Sequence, residues 1–100
     1  MSISQSLPPE TARLDVWLWR ARFFKTRTLS SAHISRRGVR ITRHGETRKV
    51  TKPGANVAIG DIVTFGRSVH IRTVSITQLG TRRGPASEAA KLYEEVEESP

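Results

Sequence analysis

The sequence contains no cysteine, so it has neither a disulfide framework nor a thiolate metal site. It also has no run of the roughly twenty apolar residues that a membrane-spanning helix needs. The segment from Met1 to Thr11 has neither a positive n-region nor an apolar h-region, so no signal peptide is predicted. These absences favour a reducing compartment, and we expect a cytoplasmic protein with no membrane partner.

Acidic residues are scarce. Nine Asp and Glu oppose seventeen Lys and Arg, for a formal net charge of +8. Residues 1–85 carry sixteen basic and four acidic side chains, whereas residues 86–100 carry one basic and five acidic ones. Most of the positive residues are arginine, whose planar donors suit phosphate. A basic body with a short acidic tail indicates a nucleic-acid partner rather than an anionic membrane, because the basic residues are not confined to one amphipathic helix.

Catalytic motifs are absent from the sequence. It has no P-loop and no nucleophile elbow. The histidines have no partners at metal-ligand spacing: His33, His44 and His70. The carboxylate cluster Glu94-Glu95-Glu97-Glu98 is interpreted as the solvated end of a helix. We therefore predict no enzyme activity, no cofactor, no metal and no small-molecule substrate.

Hydrophobic spacing predicts two helices near the start of the chain. The first has apolar residues at i, i+3, i+4 and i+7, namely Leu14, Trp17, Leu18 and Ala21. We predict Thr11 as its N-cap and an end near Phe23-Phe24. The second helix is predicted to begin after an N-cap at Thr28 and to end at Gly38. Its predicted buried stripe comprises Leu29, Ser30, His33 and Ile34.

After Gly38 the hydrophobic period changes to that of strands. Val39 and Ile41 are predicted to point inward and Arg40 outward. A turn is predicted over Arg43–Glu46, followed by an extended segment over Arg48–Lys52. Val57 and Ile59 continue the alternation and are predicted to point inward. Two further strands are predicted over Ile62–Phe65 and Val69–Ile76, with a turn at Gly66-Arg67 between them. A shift of apolar parity between Ile71 and Val74 predicts a bulge.

A third helix is predicted over Ala86–Glu97, with a stripe of Ala89, Leu92, Tyr93 and Val96. The whole order predicts an α+β domain with a small antiparallel sheet. We divide the chain into a flexible leader (1–10), a binding domain (11–79) and a basic loop with a C-terminal helix and acidic tail (80–100).

Basic side chains concentrate around the two predicted helix ends. They are Arg20, Arg22, Lys25, Arg27, Arg36, Arg37, Arg40 and Arg43. A loop of this composition aligns guanidinium groups along a run of phosphates, and N–H groups at the start of the second helix add to that grip. Each residue alone is more typical of a solvated surface charge, whereas the clustering of the set favours binding.

The run Arg13-Leu14-Asp15-Val16-Trp17-Leu18-Trp19-Arg20-Ala21-Arg22-Phe23-Phe24-Lys25-Thr26-Arg27 resembles the opening of the S4-type RNA-binding domain. That domain occurs in a small-subunit ribosomal protein, several pseudouridine synthases and bacterial tyrosyl-tRNA synthetases. Further along the chain, three segments resemble later parts of that domain: Gly38-Val39-Arg40-Ile41, Thr51-Lys52-Pro53 and Gly60-Asp61-Ile62-Val63. Two stretches are similar to the ribosome-associated fifteen-kilodalton heat-shock protein family: Trp17–Phe23 with Lys25-Thr26-Arg27, and Arg82–Ala90 leading to Leu92-Tyr93-Glu94-Glu95.

The resemblance covers about Arg13 to Glu95 and implies an S4-like (alpha-L) fold, with two helices packed on a small antiparallel sheet. It implies an RNA face formed by Arg13, Arg22, Lys25, Thr26 and Arg27, with Lys52 close by. The charge pattern adds Arg36, Arg37 and Arg40. The implied partner is structured ribosomal RNA of the large subunit, with a role in rescuing stalled subunits, and we expect a monomer.

Three features depart from the family pattern. Arg43-His44-Gly45 replaces the usual Asn-Gly turn, Arg37 stands where a glycine is expected, and the sequence lacks a long basic tail after Pro100. Because that tail is part of the family pattern, the resemblance implies RNA binding more directly than it implies the rescue role. Two alternatives stay open at this point: an accessory module of an RNA-modifying enzyme, and a general nucleic-acid-binding or protein-interaction module.

Overall fold

A computed structural model describes residues 10–67 and 69–96, and within them the predicted α+β fold is confirmed. The predicted leader falls almost entirely outside these residues, as do Glu97 and Glu98 of the predicted acidic tail. The elements in chain order are β1 (Ala12–Arg13), α1 (Leu14–Arg20), α2 (Arg27–Arg37), β2 (Val39–Arg43), β3 (Glu46–Val50), β4 (Asn56–Val57), β5 (Ile62–Arg67), β6 (His70–Ile76), α3 (Ala86–Ala89), a 3₁₀ turn (Ala90–Leu92) and β7 (Tyr93–Glu95).

Helix α1 is shorter than predicted at both ends. Thr11 is not its N-cap, because Ala12 and Arg13 pair with Val57 and Asn56 as strands and the helix begins at Leu14. The helix ends at Arg20, before the predicted Phe23-Phe24.

A Schellman motif terminates α1, with Arg22 in the left-handed region at φ +66°. The N–H of Phe23 donates to the carbonyl of Leu18, and that of Arg22 donates to the carbonyl of Trp19. The Phe23 ring packs against Trp17, the apolar contact that accompanies this motif. This reversal turns the chain back over the core, so Phe23 is buried there.

Helix α2 begins two residues earlier than predicted. Thr26, not Thr28, is the N-cap, and its hydroxyl accepts a hydrogen bond from the N–H of Leu29 at 3.0 Å. Ser30 and Ile34 are fully buried as predicted, but Leu29 is 52% exposed. The predicted stripe was too wide, because α2 contacts the core along only one narrow edge. The helix ends at Gly38 as predicted, with φ +79°.

A five-stranded antiparallel sheet with the order β3-β2-β5-β6-β7 supports both helices. The register of β5 and β6 runs without interruption from Ile62↔Ser75 to Arg67↔His70, so the predicted bulge is wrong. Ile71 instead lies on the face away from the helices, 76% exposed. The predicted turn at Gly66-Arg67 is also wrong, because β5 continues through Arg67.

The β2–β3 hairpin turns at His44-Gly45, both with positive φ (52° and 80°). Positive φ at both central residues is typical of the type I′ turn that Asn-Gly forms, so the departure from Asn-Gly in sequence preserves that feature of the backbone.

One face of the sheet and the two helices enclose the core. The fully or nearly fully buried residues are Leu14, Trp17, Leu18, Ala21, Phe23, Ile34, Val39, Ile41, Val50, Val57, Val63, Phe65, Val74, Ile76 and Leu92. The inward positions of Val39 and Ile41 and the apolar face of α1 are thereby confirmed. Ile59, predicted to point inward, is 59% exposed, because the pairing with β1 covers only Asn56–Val57.

The C-terminal helix prediction is wrong beyond its first turn. Helix α3 covers only Ala86–Ala89, and Tyr93–Glu95 form an edge strand paired with β6. Of the predicted stripe, Ala89 and Leu92 are buried. Strand pairing outweighs the helical preference of this segment, because without β7 the backbone N–H and C=O groups along the edge of β6 would be unpaired.

Candidate nucleic-acid interface

The loop between α1 and α2 is held by the segment Gly80–Pro85. Arg83 Nε donates to the Trp19 carbonyl at 3.1 Å, and Arg83 Nη2 donates to the Phe24 carbonyl at 3.5 Å. Arg20 Nη1 donates in turn to the carbonyl of Gly80 at 2.9 Å. Arginines thus tie the C-terminal segment to both ends of this loop, which carries Lys25 to the surface.

The N-terminus of α2 opens onto the same surface. Thr26 satisfies the N–H of Leu29, whereas the earlier N–H groups of the first turn, on Arg27 and Thr28, have no partner within the helix. The positive end of the helix dipole therefore coincides with the exposed side chains of Lys25 and Arg27. This combination favours an anion such as a phosphate.

A basic groove runs along the outer side of α2 from this end to the other. It encloses about 480 Å³ and is lined by Phe23, Phe24, Lys25, Leu29, Ala32, His33, Arg36 and Arg37. Its cations stand at the two ends, and its floor is apolar and aromatic. The exposed Leu29 lies one turn before His33, which packs against Phe24 with ring centroids 5.1 Å apart. Such a groove offers phosphate contacts at its ends and a surface for sugar and base faces between them.

A buried carboxylate joins the two helices on the other side of α2. Arg13 donates from Nε and Nη2 to Asp15, both at 3.0 Å, and Ser31 Oγ of α2 donates to the same carboxylate at 2.8 Å. Burial by itself would raise the pKa of Asp15, but the hydrogen bonds from Arg13 and Ser31 and the charge of Arg13 outweigh it, and the pKa is lowered. Arg27 precedes Ser31 by one helical turn and lies along the same seam.

The structure brings six of the nine predicted site residues to the α2 region. We call this set the α2 surface: Arg13, Lys25, Thr26, Arg27, Arg36 and Arg37. Arg13 is already engaged by Asp15, although its side chain is 54% exposed.

Of the other three predicted residues, Arg22 and Arg40 lie apart from it, whereas Lys52 lies in a turn beside Arg13. Arg22 donates to the carbonyl of Gly84 at 2.6 Å and lines a separate groove beside α3. Lys52 is exposed in the turn before β4, on the side of Arg13. Arg40 points away from the helices, on the open face of the sheet.

Two basic residues near these surfaces were not predicted from the sequence to belong to the site. Arg83 belongs to a stretch singled out for its family resemblance, but nothing local signalled that its guanidinium holds the α1–α2 loop. Lys49 lies directly opposite Arg40 in the β2–β3 ladder, a pairing that the two-residue turn at His44-Gly45 would have predicted.

In the part of the chain that the structure describes, no helix has the length and apolar character to cross a membrane. Among the same residues, no group of three or more His, Cys, Asp or Glu is placed to hold a metal ion.

No protein-family model matches the chain. Heat shock protein 15 of Escherichia coli (strain K12) is 40% identical over 92 residues, which cover 92% of this chain and 65% of that protein. The heat shock protein 15 homolog of Aeromonas salmonicida is 38% identical over 95 residues, covering 92% of this chain and 68% of that one. The chain thus spans about two-thirds of the length of these relatives.

A solved structure shows the same fold. The trimeric structure of Vibrio cholerae heat shock protein 15 matches with a TM-score of 0.74 at 36% identity, covering 87% of this chain and 83% of that one. The resemblance seen in the arginine-rich motifs therefore extends to the arrangement of helices and strands. On these identities and this coverage, the chain belongs to the heat shock protein 15 family.

Proposed function

We propose that this protein binds structured RNA through the α2 surface, and that its target is ribosomal RNA of the large subunit. The observation that carries the proposal is the convergence of Lys25, Arg27 and the open N-terminus of α2 with the groove that ends at Arg36 and Arg37. None of these four side chains forms an ion pair with another described residue, so their donors are available to phosphate.

The biological setting that we propose is heat-shock-linked rescue of stalled large subunits. Membership of a heat shock protein family supports the stress response, and the S4-type motifs support ribosomal RNA as the ligand. Because the relatives are longer than this chain, their complete activity need not reside in the residues present here.

We also propose that the domain acts by binding and not by catalysis. The buried carboxylates of the described residues, Asp15 and Asp61, are each held by an arginine: Asp15 by Arg13, and Asp61 by Arg43 at 2.7 and 2.8 Å. Carboxylates fixed as ion-pair partners are typical of structural roles, and proton transfer would require one to be free.

The test is co-sedimentation with purified ribosomal subunits in low and moderate salt. The variant Lys25→Glu/Arg36→Glu reverses the charge at both ends of the groove. The matched control, Arg48→Glu/Lys91→Glu, changes the net charge equally at exposed positions that the groove does not include. We expect wild type and control to sediment with the large subunit and the groove variant to remain in the supernatant. Equal sedimentation of both variants would place the binding surface elsewhere.

Salt dependence gives a second readout. If four cations (Lys25, Arg27, Arg36 and Arg37) each neutralise one phosphate, log K against log salt falls with a slope of about −3. The groove variant, lacking two of them, should show a slope about 1.5 shallower. A slope near zero for wild type would refute an electrostatic grip on RNA.

A further inference from the structure

The face of the sheet opposite the helices carries a second group of cations. Side chains on adjacent strand residues point to opposite faces, so those flanking the inward Val39 and Ile41 of β2 and Val63 and Phe65 of β5 point outward. Arg40 is one of these, and its ladder partner Lys49 lies beside it on β3. Arg37, at the end of α2, lines the same depression. We call Arg40 and Lys49 the sheet-face cluster; Arg37 belongs to the α2 surface and lines both depressions, so it marks the edge at which the two surfaces meet.

The cluster keeps like charges at close range. Side chains directly opposite in an antiparallel ladder have Cβ atoms about 5 Å apart, and like charges in such pairs are destabilising. The Lys49 stem lies along the open face over Gly38, beside the end of α2: a Cβ added to Gly38 would lie 2.5 Å from Lys49 Cε. The absence of a side chain at Gly38 therefore allows the Lys49 stem to approach Arg37.

No carboxylate among the described residues offsets this charge. Neither Arg40 nor Lys49 forms an ion pair or a side-chain hydrogen bond with another described residue. Glu94 lies on the same face, but β7 is three strands from β2, about 14 Å at ordinary strand spacing. That separation exceeds the Debye length of about 8 Å at physiological salt, so Glu94 screens the cluster little.

The surface next to the cations offers further polar groups. The depression encloses about 340 Å³ and continues from the cations past Thr64 and Gly66 of β5 to the exposed Val69 and Ile71 at its far end. The Thr64 hydroxyl lies 3.3 Å from that of Thr73 on β6, in the same ladder row as Arg40. Gly66 has no side chain, so the backbone there is open to a ligand. Arginine forks with adjacent hydroxyls form a phosphate-contacting set.

We propose that the sheet-face cluster binds the phosphate backbone of a second RNA segment, so that one molecule bridges two segments held on opposite sides of the domain. This inference rests on the proposed RNA binding by the α2 surface and extends it. The two surfaces adjoin at Arg37, but Lys25 and Arg27 of the α2 surface lie on the helical side of the sheet, whereas Arg40 and Lys49 lie on its open side.

The test is a bridging assay with two short RNA hairpins, one immobilised and one fluorescently labelled. Three proteins are compared: wild type, the sheet-face variant Arg40→Gln/Lys49→Gln, and the groove variant Lys25→Glu/Arg36→Glu. Binding to a single hairpin is measured separately, and the mass of each protein is measured by analytical ultracentrifugation. Circular dichroism confirms folding, and the neutral glutamines avoid introducing new repulsion with RNA.

We expect wild type to bind one hairpin and retain the second. The sheet-face variant should bind the single hairpin within about threefold of wild type yet retain at least tenfold less of the second hairpin, with unchanged mass. The groove variant should lose affinity for the single hairpin.

Undiminished bridging by the sheet-face variant would overturn the inference. Loss of bridging together with a fall in mass would overturn it too, and would assign this face, with its exposed Val69 and Ile71, to contact between copies of the chain. If wild type binds one hairpin but bridges none, only this inference fails. If wild type binds no RNA, the proposed function fails with it.

Discussion

Replacing Asp15 by asparagine isolates the interaction that joins α1 to α2. The carboxylate is almost fully buried and accepts three hydrogen bonds, two from Arg13 and one from Ser31. An amide preserves its shape but removes the charge. Hydrogen bonds to charged groups contribute about 1.5–3 kcal/mol to stability.

Because the Arg13 side chain is 54% exposed, water can solvate it when the ion pair is lost. We therefore expect Asp15→Asn to lower the free energy of unfolding by about 2 kcal/mol, near the lower end of the range for charged hydrogen bonds. For a domain of this size, that corresponds to a fall in Tm of about 8–16 °C.

The pKa of Asp15 determines whether its contribution to stability rises or falls with pH. The hydrogen bonds from Arg13 and Ser31 outweigh burial and lower the pKa of Asp15 in the folded state. A carboxyl of this kind stabilises the fold above its unfolded pKa of about 3.9, and that stability is lost as pH falls through the lower, folded value. The difference between wild type and Asp15→Asn should therefore be complete near neutral pH and should shrink below about pH 4.

Urea denaturation followed by tryptophan fluorescence measures both quantities, since Trp17 is fully buried in the core. Glu46→Gln, which neutralises an exposed carboxylate, is the matched control and should change stability by less than about 0.5 kcal/mol. The reasoning fails if Asp15→Asn behaves like this control near pH 7, or if its difference from wild type persists unchanged near pH 3.

Three further substitutions have defined outcomes. Gly38→Ala should destabilise the fold by about 1–3 kcal/mol in urea denaturation, because φ +79° with ψ 164° is a conformation that is almost exclusive to glycine; an unchanged midpoint would contradict this. Arg43→Ala should destabilise by about 3 kcal/mol, because Asp61 is 3% exposed and would lose the guanidinium that holds it. Protonation of Asp61 at low pH should narrow the difference in stability between wild type and Arg43→Ala. Arg83→Ala should speed amide hydrogen exchange in the α1–α2 loop and leave the strands unchanged, a pattern that uniform destabilisation would not produce.

The local sequence was sufficient to predict those features of the fold that depend on residues only a few positions apart. The spacing of Leu14, Trp17 and Leu18 predicted the buried face of α1, because helical periodicity alone brings these side chains together. Gly38 predicted the end of α2 for an equally local reason, the positive φ that it adopts. Alternation after Gly38 placed Val39 and Ile41 inward.

Predictions failed where distant pairing decided the conformation. The start of α1 moved because Ala12–Arg13 pair with Asn56–Val57, far along the chain. The segment Tyr93–Glu95 has a helical pattern, yet it completes the edge of β6. In both cases an unpaired strand edge outweighed a local preference, and no short window of sequence contains that edge.

The same distinction applies to the binding surfaces. The excess of arginine and its concentration between Arg13 and Lys52 indicated a polyanion partner without any coordinates, because net charge does not depend on the fold. Tertiary structure alone decided which cations lie close to one another. It collected Lys25, Arg27 and Arg36 around α2 and directed Arg22 to the C-terminal segment. It set Arg40 beside Lys49 on the opposite face, because helix packing covers one side of the sheet and leaves the other open.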